Sequence, residues 1–194
     1  MKRVIVGIDL AGKSDNPTGW AALTNKRVSA CHIYNDQEIL KRSIECKPIL
    51  ICIDSPLNLP KEGVMRKADG EMHRHGYPVF PPRFPAMEKL TLRAMKLTQQ
   101  IIDEGLKVIE VHPASTRKAL KMPTKEWSEI QEIFTGLGLE GDVKTRTLTP
   151  HEIDAVTASL TGYLYIQGKT ELIGDVKDGQ IVVPMKMEWR ELQL

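Results

Sequence analysis

The chain has 194 residues and a net charge of +2, with 41% hydrophobic and 27% charged residues, which is ordinary for a soluble globular protein. The length suits one domain, 1–194, with a core that needs no staples, and the net charge does not by itself announce a nucleic-acid binder. There is no secretory leader and no apolar run near transmembrane length, so a cytoplasmic location and no membrane partner are expected.

Met1–Leu10 reads as a strand buried on both faces. Gly19–Leu23 and Val28–Tyr34 read as two more, joined by a polar turn at Asn25-Lys26, which implies an antiparallel meander. Asn35-Asp-Gln-Glu38 has a helix-capping pattern, with Pro48 beyond the helix end. The run ILICID at 49–54 is apolar throughout, as a central parallel strand should be. Residues 57–85 read as an insertion whose second half, with Pro78, Pro81, Pro82 and Pro85, resists helix and sheet.

Met87, Leu90, Ala94, Leu97 and Ile101 then mark a helix that stops at Gly105, and KVIEV at 107–111 is a fifth strand. Thr124–Thr135 reads as a short amphipathic helix using Trp127, Ile130 and Phe134. Thr149-Pro-His-Glu152 opens the last helix with a cap, a proline at the first position and a glutamate at the third. A closing hairpin pairs 171–174 with 180–183 through Lys177-Asp-Gly179. The order predicts a mixed α/β sheet of five strands flanked by helices, plus the insertion and the C-terminal hairpin.

Three apolar strands each deliver an acid: Asp9, Asp54 and Glu110. Any one of them alone reads as a carboxylate meeting water or capping a helix. Together they place acids at the edge where α/β proteins build sites. On the last helix Asp154 lies on the flank of the Ile153-Val156-Leu160 stripe, beside the small Ala158 and Thr161, and so points along that same edge. Two carboxylates about 5 Å apart repel by roughly 3 kcal/mol at an effective dielectric near 20, and three such pairs by on the order of 10 kcal/mol. Convergence would therefore demand protonation or a cation, and an all-oxygen donor set selects Mg²⁺ or Mn²⁺ over zinc. Cys31, Cys46 and Cys52 lack metal-type spacing and read as buried thiols.

Charge is uneven. Residues 61–96 carry eight Lys/Arg against four Asp/Glu, with His73 and His75 in addition. Arg74 and Arg83 in that stretch are candidate phosphate contacts, as is Lys13 in the loop after the first strand. Arg66 is either a substrate contact or a brace paired with Asp69 one turn away. His151, one turn before Asp154, is a candidate for proton transfer or phosphate contact. His112, before Pro113, reads as structural. Ser55 lacks the Gly-x-Ser-x-Gly elbow of a nucleophile.

The pieces GIDLAG at 7–12, IDSPL at 53–57, Arg66-Lys-Ala-Asp69 with Pro81-Pro82 downstream, EVHP at 110–113, HEIDA at 151–155 and IVVP at 181–184 occur in an order that resembles domain-of-unknown-function family four-twenty-nine, described as predicted nucleases of RNase H-like fold. The resemblance runs from about residue 4 to 184. It implies metal-dependent hydrolysis of nucleic acid, with Asp9, Asp54 and Asp154 holding Mg²⁺ or Mn²⁺ and Glu110 as a fourth ligand or a group supporting the ligands. A catalytically silent RNase H-like scaffold, or a nucleotide-handling protein of actin or sugar-kinase type, are the alternatives. The latter needs two such domains, and this length provides one.

Overall fold

The computed structural model describes residues 3–194, so the first two residues of the expected N-terminal strand lie outside it. Strands β1 (Val4–Asp9), β2 (Thr18–Thr24) and β3 (Arg27–Ile33) form an antiparallel meander. Asn25 and Lys26 turn β2 into β3 with positive φ, 47° and 66°. Helix α1 (Asp36–Glu45) follows, and the Asn35 side chain accepts from the Glu38 amide as the capping pattern requires. Strand β4 (Leu50–Asp54) then lies parallel to β1.

The insertion contains one helix, α2 (Lys67–Arg74), across its middle and irregular chain through Pro78, Pro81 and Pro82, while Pro85 opens the next helix. Helix α3 (Pro85–Asp103) leads to β5 (Val108–Val111), parallel to β4. A short helix absent from the sequence expectation, α4 (Pro113–Ala119), starts directly after β5. Helix α5 (Trp127–Gly136), a two-residue strand β6 (Glu140–Gly141) and a single turn α6 (Asp142–Thr145) lead to the long α7 (Pro150–Ile166). Strands β7 (Thr170–Asp175) and β8 (Gly179–Pro184) close the chain as the expected hairpin.

The sheet has eight strands, in the order β6-β3-β2-β1-β4-β5-β8-β7, which corrects the count of five. The hairpin docks beside β5 instead of standing apart, because Ile181 and Val183 continue the apolar surface that α2 covers with Ala68 and Met72. Strand β6 was missed because two residues carry no alternation. The core lies in two layers, one on each face of the sheet. Val6, Ile8, Ile51 and Ile53 face α1 and α3, while Ile5, Leu50 and Cys52 face α7. No helix among the described residues is long and apolar enough to cross a membrane.

Candidate active site

Pleat parity decides which acids meet. Asp9 and Asp54 are register partners in β1 and β4. Alternation along each strand puts them on the same face as Ile5, Leu50 and Cys52, the face that α7 covers. Glu110 pairs with Ile53 and shares the opposite parity with Val108.

Two glycines let α7 come down onto that face. A Cβ on Gly7 would stand 2.0 Å from the Ala155 carbonyl oxygen, and one on Gly19 would stand 2.0 Å from that of His151. Only hydrogens at these positions allow the helix backbone to rest on β1 and β2. The Thr149–Glu152 capping box fixes where the helix begins. Its first turns therefore lie at the carboxyl end of β1, and His151 Nδ1 meets Asp9 Oδ2 at 2.6 Å. That bond, opposed by burial, raises the His151 pKa above its ordinary value. His151 remains half exposed, and its ring stands edge-on to His32, centroids 6.2 Å apart.

Asp54 is the most perturbed acid. Burial first, then the charges of Asp9 and Asp154, push its carboxyl well above the usual carboxylate range, with Arg117 acting against them. Asp154 is also raised by burial, again opposed by Arg117, whose guanidinium bonds directly to it. Arg117 was not singled out from the sequence. It sits on α4 among buried Ser115 and Thr116, and such a buried polar helix leaves no apolar period to read.

Glu110, expected as a fourth ligand or a group supporting the ligands, is engaged by Arg66 and lines the same cavity as Asp9 and Asp54. Its two oxygens accept from both terminal nitrogens of Arg66, at 2.6 and 2.7 Å, and one also accepts from the Leu57 amide. Arg66 also grips Asp69 and is 2% exposed, so it is a brace rather than a substrate contact. Burial works against its charge, and the bonds to Glu110 and Asp69 outweigh that and raise its pKa. The brace ties the insertion to β5. Arg83 is likewise engaged, donating to the Pro60 carbonyl, whereas Arg74 and Lys13 are exposed.

A cavity of about 180 Å³ opens beside Asp9 and Asp54, walled by Val79, Phe80, Met87 and Leu90. Phe80 is 70% exposed, with exposed Phe84 and Val64 on the same insertion. His112 reaches this cavity, its Nδ1 2.7 Å from the Ser115 hydroxyl, and burial lowers its pKa to about 4.

The donor set suits a hard divalent cation: the groups are all carboxylates, and Asp54 is short of compensating charge. It is not a finished cage. Among the described residues no three His, Cys, Asp or Glu side chains are arranged to hold an ion together. Asp9 is engaged by His151 and Asp154 by Arg117, so Asp9 and Asp54 are the residues that would hold such an ion.

The meander, the parallel strands β4 and β5 and the helix laid across them define an RNase H-like α/β protein. More narrowly, the chain belongs to the family described as "Protein of unknown function (DUF429)", which matches residues 7–178. Among solved structures it is similar to Thermus thermophilus RuvC, at 13% identity and a TM-score of 0.52, over 85% of this chain and 96% of that one. It is also similar to T. thermophilus RuvC in complex with a Holliday junction substrate, at 14% identity and a TM-score of 0.51, over 86% and 96%. At such identities the likeness is one of fold. No curated protein matches the sequence.

Proposed function

We propose that this protein is a divalent-metal-dependent nuclease that hydrolyses phosphodiester bonds in nucleic acid. The observation that carries the reading is the register pair Asp9–Asp54, which sets two carboxylates side by side beneath the first turns of α7. The similar RuvC structure holds a Holliday junction substrate, which supports nucleic acid as the substrate class for a shared fold.

Asp9 and Asp54 would hold Mg²⁺ or Mn²⁺, which when bound activates water and offsets charge developing on the phosphate. Burial, then Asp9 and Asp154, raise the Asp54 pKa, so a proton and a cation would compete for it. His151 carries a proton between itself and Asp9. His151 Nδ1, bonded to Asp9 at 2.6 Å, would give or take a proton near the phosphate. The amino-terminal end of α7 favours negative charge at this edge. Lys13 and Arg74 meet backbone phosphates, and Phe80 offers an aromatic face to a base.

The second reading is a catalytically silent scaffold. It is favoured by His151 and Arg117, which already engage two of the three acids. A panel of labelled single-stranded, duplex, hybrid and branched substrates separates the two. Cleavage with Mg²⁺ or Mn²⁺, weak with Ca²⁺ and absent in Asp9→Asn, supports the nuclease. Binding of any of them with no metal-dependent cleavage supports the scaffold.

A further inference from the structure

The cavity beside Asp9 and Asp54 is lined from three sides. The ends of β1, β4 and β5 contribute Asp9, Asp54 and Glu110. Helix α3 contributes Met87 and Leu90, and the proline-rich end of the insertion contributes Val79 and Phe80. Phe80 is 70% exposed, yet the segment that carries it is not slack. Pro78 and Pro81 flank Val79-Phe80, and the residue before a proline is confined to extended backbone. His73 Nε2 donates to the Val79 carbonyl at 2.9 Å, and Arg83 donates to the Pro60 carbonyl. An aromatic face held this way loses little freedom when a flat ligand stacks on it.

The chemistry of the lining selects the ligand. Four carboxylates, Asp9, Asp54, Asp69 and Glu110, stand there against one guanidinium, Arg66. Arg66 directs its donors at Asp69 and Glu110 and keeps none for an anion. A phosphate is therefore turned away from the interior, whereas a neutral ring is not. The volume, about 180 Å³, is less than the roughly 300–1,000 Å³ of a pocket for a drug-sized ligand, and it suits a single flat ring system. His112 also lines the cavity; Ser115 engages its Nδ1, which leaves Nε2 for a polar edge. In a duplex each base is stacked and its edge is paired, so only an unpaired or flipped nucleotide can offer its ring. We propose that this cavity seats one unpaired nucleobase, stacked on Phe80 and beside the phosphate that reacts at Asp9 and Asp54. The substrate class is then nucleic acid with an unpaired nucleotide at the reacting phosphate. The place of that phosphate rests on the proposed nuclease reading, whereas the seat for the base does not.

The test uses two duplexes of one length, each with a single-nucleotide bulge that is either an intact nucleotide or an abasic one. Their phosphates are identical, so only the base differs. Fluorescence anisotropy in chelator should show wild type binding the intact bulge about tenfold more tightly than the abasic one. Phe80→Ala should shrink that ratio, and Met87→Trp, which fills the cavity without touching an acid, should abolish it. If Met87→Trp does not fold, Leu90→Phe fills the same space. Equal affinity of wild type for the two bulges, or a ratio that persists in the filled variant, overturns the proposal. Cleavage with Mg²⁺ is then scored separately. A base preference without cleavage upholds the seat and removes the nuclease reading. Cleavage without a base preference upholds the nuclease and removes the seat.

Discussion

Asp9 and Asp54 stand opposite each other across the parallel pair β1–β4, on the face of the sheet where α7 lies. Every functional statement about this protein begins from that pairing, because it forces two carboxylates together whatever else is bound. The cost is visible at Asp54, whose carboxyl is raised first by burial and then by Asp9 and Asp154.

That cost gives the first prediction. A carboxyl raised in the folded state keeps its full stability below the ordinary value of 3.8 and loses it as pH climbs through the folded value. Asp54→Asn should therefore be about neutral in effect at pH 3.5. At pH 8 it should stabilise the metal-free protein by on the order of 2 kcal/mol, a rise of about 4–8 °C in Tm. It should also abolish any stabilisation by Mn²⁺. Melting curves across that pH range, with and without Mn²⁺, decide it.

The second prediction concerns the seat of α7. Gly19→Ala puts a methyl group into the His151 carbonyl, so it should cost at least about 1–3 kcal/mol and lift the start of the helix. The Asp9–His151 bond should lengthen, and the His151 pKa should fall back toward its ordinary 6.5. An NMR titration of the histidine ring reads this directly. An unchanged titration would mean that the helix is not held by that contact.

The brace under the insertion is the third. Arg66→Met leaves Glu110 and Asp69 buried without a counter-charge and should cost about 3–5 kcal/mol, lowering Tm by roughly 10 °C. Adding Glu110→Gln should recover part of the loss, whereas two independent sites would lose more. Mn²⁺ affinity should change less than in Asp54→Asn: Glu110 shares the strand parity of Ile53, opposite to Asp54, though its charge reaches Asp54 across the shared cavity.

These cases show how far the sequence could be read. The acids at strand ends, the capping box at Thr149 and the hairpin turn at Asn25-Lys26 are local patterns, and the structure carries all three. Glu110 looked equivalent to Asp9 and Asp54 because each ends an apolar run. The difference is one residue of register, which gives it the strand parity of Ile53, opposite to Asp54, and register across parallel strands is set by distant partners. Arg117 was invisible for another reason: its helix is buried through Ser, Thr and Arg, so hydrophobic periodicity cannot find it. Gly7 and Gly19 drew no notice as contacts because close approach is a property of two elements, not of one.

The fourth prediction addresses nucleic acid. Arg74→Glu should weaken binding to an oligonucleotide and flatten its salt dependence, since Arg74 is 70% exposed on the basic insertion. Phe80→Ala should weaken binding to unpaired strands by about 1–3 kcal/mol while leaving the salt slope alone. Fluorescence anisotropy in chelator, over a range of salt, separates the two effects from cleavage.

The most direct measurement of the central claim is an anomalous-difference map from crystals soaked in millimolar Mn²⁺. The account predicts a peak bonded to carboxylate oxygens of both Asp9 and Asp54, with Arg117 still on Asp154. A map with no peak between Asp9 and Asp54 would contradict it.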